Sequence, residues 1–461
     1  MENYIYTYPR VAEAVTLINQ KVTLFGSVIE VGLPKKTRGT DWIRTVKIID
    51  ESDCKTGLSV NIFASTMESL PQILALGDII HLSRIVIKKD NGKVNAVFYK
   101  SGSLFALYRG KNNGDFLHYQ CSPGYHARAH DFKCVSALQN WLADFHLDDD
   151  PRSFMSMRDM KEGERASLVS KVLHICEVAE KKWMVFIWDG TDSPPINIDS
   201  NLEYGWENPP PLQLEPLPLP RDVLRAFPTV GSVLRVMIDH GNEKVVPLII
   251  TGKWVKFLDI LCEVREGLWY GVLTPSTRLR YVSNESQITL ARKKAYKIRL
   301  SSKLGRIPYI CFPRPSPVTE VDDKDVSFVT LMDVLTHSEV TAKFNCIVRV
   351  VAAFPWQVQT YFSDDGTYGI RLTIEDPTGR IHAYLYGEDG EKFFDGHPSM
   401  DVLIKKRNKL LGVAVDDDGK EIMGALRNPP WIQCFIKSYY IDVNNKWGSR
   451  NFRIFGTKHV G

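Results

Sequence analysis

Residues 33–63 read LPKKTRGTDWIRTVKIIDESDCKTGLSVNIF, and this stretch decides how the rest of the chain is read. A basic loop containing a glycine (Lys35, Lys36, Arg38, Gly39) leads into an alternating strand from Trp42 to Ile49. A polar turn, Asp50 to Gly57, precedes a second alternating strand, Leu58 to Phe63. Side chains alternate with a period of two, so Leu58, Val60 and Ile62 share one face and Ser59, Asn61 and Phe63 the other. Phe63 is therefore a large aromatic on the polar face. An aromatic beside a basic loop is what a single-strand nucleic-acid platform needs: a flat surface to stack a base and cations to hold the phosphates.

The chain has 461 residues, which at ~150 residues per domain suggests about three domains. Hydrophobic content of 44% with 24% charged residues describes a soluble globular protein. The 10 Trp, 18 Tyr and 21 Phe serve core packing first. A net charge of +4 argues against coating a duplex but allows a local basic groove. The start, MENYIYTYPR, lacks a basic segment followed by an apolar run, so no secretory signal is expected. No run of ~20 apolar residues exists, so no membrane partner is expected. The eight cysteines are scattered without CxxC pairs, as in a reducing compartment. Lys405 to Lys409 (KKRNK) reads either as a nuclear import signal or as a solvated loop.

Working outward, Lys21 to Glu30 alternates as a first strand, and Thr66 to Leu76 is short and helix-like. Ile79 to Ile87 and Val94 to Tyr99 follow as fourth and fifth strands around an Asp90-Asn91-Gly92 turn. This is the element order of a five-stranded OB barrel, and Asp131 to Leu147 reads as a closing helix. The pattern recurs: Leu168 to Val178, then Trp183 to Trp188 ending in Asp189-Gly190-Thr191. Ile48-Ile49-Asp50 and Ile374-Glu375-Asp376 end in the same way, and Gly231-Ser232-Val233-Leu234 echoes Gly77-Asp78-Ile79-Ile80. Residues 208–220 (NPPPLQLEPLPLP) form a proline-rich excursion, either a docking peptide or a solvent-exposed insertion. Residues 292–321 read as an interdomain linker. Strands Phe344 to Ala353, Tyr368 to Glu375 and Arg380 to Tyr386 open a third unit, Glu391 to Phe394 begins a helix, and Leu403-Ile404, Leu410 to Val415 and Trp431 to Val443 complete it. The expected fold is thus all-β dominated: tandem OB-fold barrels at 1–147 and 155–291, and a third, OB-like unit at 322–461, with short helices.

The candidate nucleic-acid residues are Lys35, Lys36, Arg38, Trp42, Arg44, Phe63, Arg84, Lys88, Lys89 and Tyr99, with Asp41 added for specificity. A carboxylate accepts hydrogen bonds only, so Asp41 matches the N1–H and N2–H₂ edge of an unpaired guanine. Its alternative is to cap the Gly39-Thr40 turn, and residue chemistry alone leaves both open. Trp42 alternates with Val46 and Ile48 and so also fits the core. His118, Cys121, His126, His130 and Cys134 form the one metal-like cluster, but the spacing matches no strong zinc motif, so no metal and no other cofactor is expected. There is no GxxxxGK[ST], GxGxxG after a strand, HExxH or GxSxG, and no catalytic residue is assigned.

The segments Asn3 to Thr7, Gly39-Thr40-Asp41-Trp42, Val46 to Asp50, Phe63-Ala64-Ser65, Leu70-Pro71 and Gly77-Asp78-Ile79 resemble the protection of telomeres family, which belongs with the telomere end-binding protein alpha subunits. Ile187 to Thr191 and Val230 to Arg235 look like that family's second OB fold. The resemblance covers about residues 1 to 290, and the length looks like the plant branch. It implies two tandem OB folds gripping the G-rich single-stranded telomeric overhang, and a C-terminal region devoted to contacts with telomere-cap proteins. It implies a nuclear, telomeric location, capping of chromosome ends and control of telomerase access. By position Phe63 matches a base-stacking Phe, Asp41 an Asp beside a base-reading loop, and His240 a His near the DNA in the second fold. The chain departs from animal members at Val31-Gly32-Leu33, where those carry aromatic and basic residues, and the proline-rich insertion has no counterpart. Plant members that work with the telomerase ribonucleoprotein and bind telomeric DNA poorly supply the alternative reading.

Overall fold

The structure is a computed structural model that describes residues 8–110, 116–145, 153–198, 219–239, 242–265, 267–280, 282, 286–311, 315–323 and 325–460. The segment Asn3 to Thr7, His240 and most of the proline-rich stretch lie outside the described residues.

Three closed five-stranded barrels follow one another along the chain. The first contains β1 (Lys21–Gly32), β2 (Trp42–Asp50), β3 (Asp53–Ala64), β4 (Ile79–Asp90) and β5 (Lys93–Phe98). Its pairings run β1-β2-β3-β5-β4 and back to β1, with β3 and β5 parallel. Helix α1 (Ala129–Ala143) closes one outer side, packing Val135 and Leu138 against Phe25, Ile79 and Tyr108. The second barrel contains β6 (Arg165–Ala179), β7 (Lys182–Trp188), β8 (Val233–Ile238), β9 (Trp254–Arg265) and β10 (Leu268–Val272), in the same cyclic order with β8 and β10 parallel. A short strand, β11 (Arg278–Arg280), pairs with β9 and with β1, so the first two barrels share a continuous sheet. Helices α2 (Gln287–Ser301) and α3 (Leu331–Thr336) lead into the third barrel. That barrel is β12 (Lys343–Phe354), β13 (Gly369–Asp376), β14 (Gly379–Tyr386), β15 (Ile432–Tyr440) and β16 (Arg450–Phe455), again with its third and fifth strands parallel. Between β14 and β15 lie α4 (Glu388–Phe394) and α5 (Met400–Leu411). Cyclic order 1-2-3-5-4 with one parallel pair is OB topology, here three times over.

Period-two burial fills each barrel. Val46, Ile48, Leu58, Val60 and Ile62 are all buried in the first, and Ile370, Leu372 and Ile374 in the third. Several expectations need correction. Residues 66–76 form no helix: Pro71 lacks an amide donor, and the Leu70 and Pro71 carbonyls are taken by Gln72 Nε2 (2.8 Å) and Arg44 Nη1 (2.6 Å). Gly231-Ser232-Val233 opens the third strand of its barrel, whereas Gly77-Asp78-Ile79 opens the fourth strand of its own. The two glycine turns are therefore not equivalent positions. The excursion that includes the proline-rich stretch joins β7 to β8, where the first barrel has only a tight turn. Residues 292–321 are not a bare tether, since they include most of α2, whose Arg292 and Arg299 reach Asp189 (2.8 Å) and Asp192 (2.6 Å).

Residues 403–411 are helical rather than extended, with Leu403, Arg407, Leu410 and Leu411 buried at helical spacing. Helix α5 ends at Gly412, whose φ of 63° and proximity to the Asn428 backbone leave no room for a Cβ. The Lys405 to Lys409 cluster therefore sits on a packed helix. Lys406 donates to the Phe394 carbonyl (2.8 Å), and the buried Arg407 pairs with Glu421, so the cluster is neither a free peptide nor a solvated loop.

Candidate single-strand nucleic-acid interface

The outer face of β2 and β3 is set by register. Ile43 lies opposite Phe63, Thr45 opposite Asn61, and Lys47 opposite Ser59. Phe63 is half-buried on this face, while Leu58, Val60 and Ile62 point into the barrel. Thr45 Oγ1 donates to Asn61 Oδ1 at 2.7 Å, so a polar pair lies beside the aromatic.

The loop before β2 rises over this face. Lys35 and Lys36 form a short exposed strand paired with Ile43 and Trp42. Thr37 donates to the Asp41 carbonyl from both its amide and its hydroxyl, at 2.9 Å each, which closes the loop tightly. Arg38 is exposed at the tip. Asp41 Oδ1 takes the Lys100 ammonium at 2.7 Å, so it ties the loop to the end of β5. The Thr40 hydroxyl is 3.5 Å from the same oxygen, too long to matter as a turn cap.

Arg84 and Tyr99 meet at this end of the barrel. Ser103 Oγ donates to the Arg84 carbonyl (3.0 Å) and accepts from the Tyr99 amide (3.1 Å). Arg84 is exposed, has φ of 57°, and has no carboxylate partner among the described residues. Ile62 pairs with Phe98, which brings Phe63 beside Tyr99. The structure thus gathers Phe63, Tyr99, Arg84, Asp41 and the loop cations at one rim. Lys100, which neutralises Asp41, is the residue that sequence reading missed; its signal was its place directly after Tyr99.

Four expected residues lie elsewhere. Arg44 is 1% exposed and points into the barrel, in phase with Trp42, Val46 and Ile48. It cannot reach a phosphate, and burial lowers its pKa to about 10. Trp42 is half-buried and packs on the barrel core, so it is not a stacking surface. Lys88 lies toward the β4–β5 hairpin, opposite Asn95, and its ammonium donates to Asn19 Oδ1 at 3.2 Å; Lys89 is exposed beside it. Both sit at the far end from Arg84. The metal-like residues do not converge: His118 packs edge-on to Tyr108 and Tyr125, Cys134 packs in the α1 cluster, and no group of three potential ligands occurs among the described residues.

The equivalent face of the second barrel is different in kind. Met184, Phe186 and Val233 lie on its outside and are buried under Leu219, Phe227 and Met332. Met332 comes from α3, so the approach to the third barrel seals this surface. The connections β6–β7 and β9–β10 are also tight.

The first two barrels are locked by one buried carboxylate. Glu30, 2% exposed, accepts from Arg278 (2.7 Å) and Arg280 (2.8 Å). Val31 and Leu33 are buried, and Gly32 pairs with Arg278. The half-exposed Arg278 therefore supplies, from the second unit, a cation at the root of the loop where the local sequence has none.

These features define a tandem OB-fold protein with a single-strand-type platform on its first barrel. The chain matches the family model described as telomeric single stranded DNA binding POT1/CDC13 over residues 3–150, and the POT1A-like OB fold domain model over residues 314–445. It is 39% identical to protection of telomeres protein 1a of Arabidopsis thaliana, covering 97% of each chain. Identity to protection of telomeres protein 1b of the same plant is 37%, over 98% of this chain and 97% of the relative. The human protection of telomeres protein 1 matches at 27% over 42% of this chain and 29% of its own. Fission yeast Pot1 with single-stranded DNA aligns at 17% identity and a TM-score of 0.28, over 64% of this chain and 96% of that one. The chain belongs to the protection of telomeres family, a family of telomeric DNA-binding proteins and not of enzymes.

Proposed function

We propose that the chain binds the single-stranded G-rich telomeric 3′ strand on its first barrel, caps chromosome ends in the nucleus and regulates telomerase access. The observation that carries this reading is the rim where Phe63 and Tyr99 stand among Lys35, Lys36, Arg38 and Arg84, cations free of carboxylate partners among the described residues. Asp41 reads an unpaired guanine edge there, and Lys100 holds its carboxylate in place. His240 is assigned to the DNA track only by its position in the family pattern. No step of chemistry on the strand is needed. The C-terminal unit meets telomere-cap proteins through Ile422, Met423 and Leu426, all exposed apolar side chains after α5.

Fluorescence anisotropy with a telomeric G-rich single strand and a scrambled strand tests the reading. Preference for the telomeric strand, reduced by Phe63→Ala, is expected; equal weak binding to both sinks it.

A second reading is favoured by the sealed face of the second barrel. A single exposed platform among the first two barrels gives a shorter grip than two, which suits an accessory subunit of the telomerase ribonucleoprotein with weak telomeric DNA binding. That role is expected to give co-purification with telomerase activity that survives Phe63→Ala.

A further inference from the structure

The third barrel carries a cross-strand row that neither the family pattern nor the first-barrel reading uses. Phe354 on β12 lies opposite Arg371 on β13, and Arg371 opposite Tyr384 on β14. Tyr384 pairs across the parallel contact with Arg453 on β16, which lies opposite Lys437 on β15, itself opposite Lys343 on β12. The row returns to β12 in phase because of the bulge between Val350 and Ala352. Two aromatics and four cations thus wind around the outside of the barrel, on strands ~4.8 Å apart.

The row is accessible. Phe354 is 41% exposed, Lys343 is exposed, and Arg371, Tyr384, Lys437 and Arg453 are half-buried. Arg371 stands 5.1 Å from the centroid of the Phe354 ring and pairs with no carboxylate among the described residues. Arg453 is held by Asp389, so three of the four cations remain available to phosphate. Lys343 lies over the Phe455 ring at 5.5 Å, which extends the aromatic surface.

One register step away, Tyr386 is 62% exposed and lies opposite Gly369. A Cβ built on Gly369 meets nothing within 4 Å, so the glycine leaves an open slot beside the tyrosine ring. A flat, uncovered ring next to a slot, flanked by unpaired cations, matches a nucleobase and its phosphates. It does not match an apolar peptide, which would leave Arg371 and Lys437 desolvated and unpaired.

We infer that the outer face of β13, β14 and β16 in the third barrel is a second single-stranded nucleic-acid site. Tyr386 and Tyr384 stack bases, while Arg371, Lys437 and Lys343 track the backbone. With the second barrel sealed by Met332, a strand leaving the first barrel would be picked up again on the third. This inference does not depend on the telomeric preference of the first barrel, since stacking and phosphate contact tolerate any sequence.

The test uses the full chain and single strands of DNA and of RNA carrying photoactivatable 5-bromouracil, cross-linked and mapped by peptide mass spectrometry. Cross-links at Tyr384, Tyr386 or Phe354 are expected, and their relative yield on DNA and RNA tells which strand the face prefers. In parallel, anisotropy compares long and short strands on Arg371→Glu and on Tyr386→Ser. The second variant changes a side chain exposed enough that folding is indifferent to it. Each is expected to weaken binding of the long strand about fivefold or more, and to leave binding of a strand short enough for the first barrel unchanged. Arg371→Glu is also expected to lower the salt slope by about 0.7 for each phosphate released. Absence of cross-links on the third barrel for both nucleic acids, or unchanged long-strand affinity in both variants, overturns the inference.

Discussion

The amide of Leu331 donates to Oδ2 of Asp376 at 2.7 Å. Asp376 ends the second strand of its barrel, and Leu331 begins the helix that precedes the first. The other oxygen, Oδ1, accepts from the amide of Thr378 at 2.7 Å and from its hydroxyl. The same device occurs twice more. Asp50 accepts from Val11 (2.8 Å) and Ser52 (2.9 Å), and Asp189 from Met157 (2.9 Å) and Thr191 (2.9 Å). One carboxylate in each barrel closes its own turn and caps the helical turn that plugs the barrel's end.

Replacing Asp376 with Asn turns an acceptor toward Leu331 into a donor or removes it. A buried amide is then left without a partner, at a cost of about 1–3 kcal/mol. Urea denaturation of the full chain is expected to show loss of the third barrel first. Because α3 also carries Met332, the cover over Phe186 is expected to loosen in the same transition, seen as earlier proteolysis between residues 219 and 238.

This device was legible in the sequence as three strands that end on Asp before a turn, an echo that marked the recurrence of a barrel already read from its strand order. The Gly231 echo misled because glycine turns open more than one strand of an OB barrel. Phe63 was legible because alternation fixes the face of a residue whose neighbours are plainly apolar. Arg44 follows the same alternation, in phase with Val46 and Ile48, but a charge was read as surface against its own periodicity. The seal over the second barrel and the Glu30–Arg278 union join residues far apart in the chain, and a local pattern carries no trace of them.

Arg44 and Phe63 therefore make a matched pair of tests. Phe63→Ala removes a stacking ring from the rim and is expected to weaken single-strand binding by about 1–3 kcal/mol with little change in stability. Arg44→Met replaces a buried guanidinium that has one hydrogen bond, to the Pro71 carbonyl, and two nitrogens without partners. Its expected outcome is unchanged DNA affinity with stability equal to or above the wild type, because the desolvated charge is gone. Anisotropy and urea midpoints on both variants separate the two roles.

Glu30→Gln breaks the union of the first two barrels. Two guanidinium groups lose their anion, and one buried charge-assisted contact is worth about 1.5–3 kcal/mol. The chain is expected to unfold in two resolved steps, and small-angle scattering to show a longer molecule before the first. A single unchanged transition would show that the β1–β11 ladder alone holds the barrels together.

The acid limit of stability follows from three imidazoles, His81 and His459 buried and His382 half-buried. Burial holds His81, His382 and His459 at a pKa of about 4, against an ordinary value near 6.5. His81 stacks on Phe25 at 4.3 Å, and neither of its ring nitrogens has a hydrogen-bond partner. In the unfolded chain each ring takes a proton as the pH falls through about 6.5, while in the folded barrel it stays neutral until about 4. The unfolded state therefore binds more protons across that window, and stability, full above pH 6.5, falls steadily between 6.5 and 4. His81→Phe keeps the stack and removes one titrating ring. Its thermal midpoint is expected to match or exceed the wild type at pH 7.5 and to fall less steeply toward pH 5. Parallel acid limbs for the two proteins would place the proton uptake on His382, His459 or the carboxylates instead.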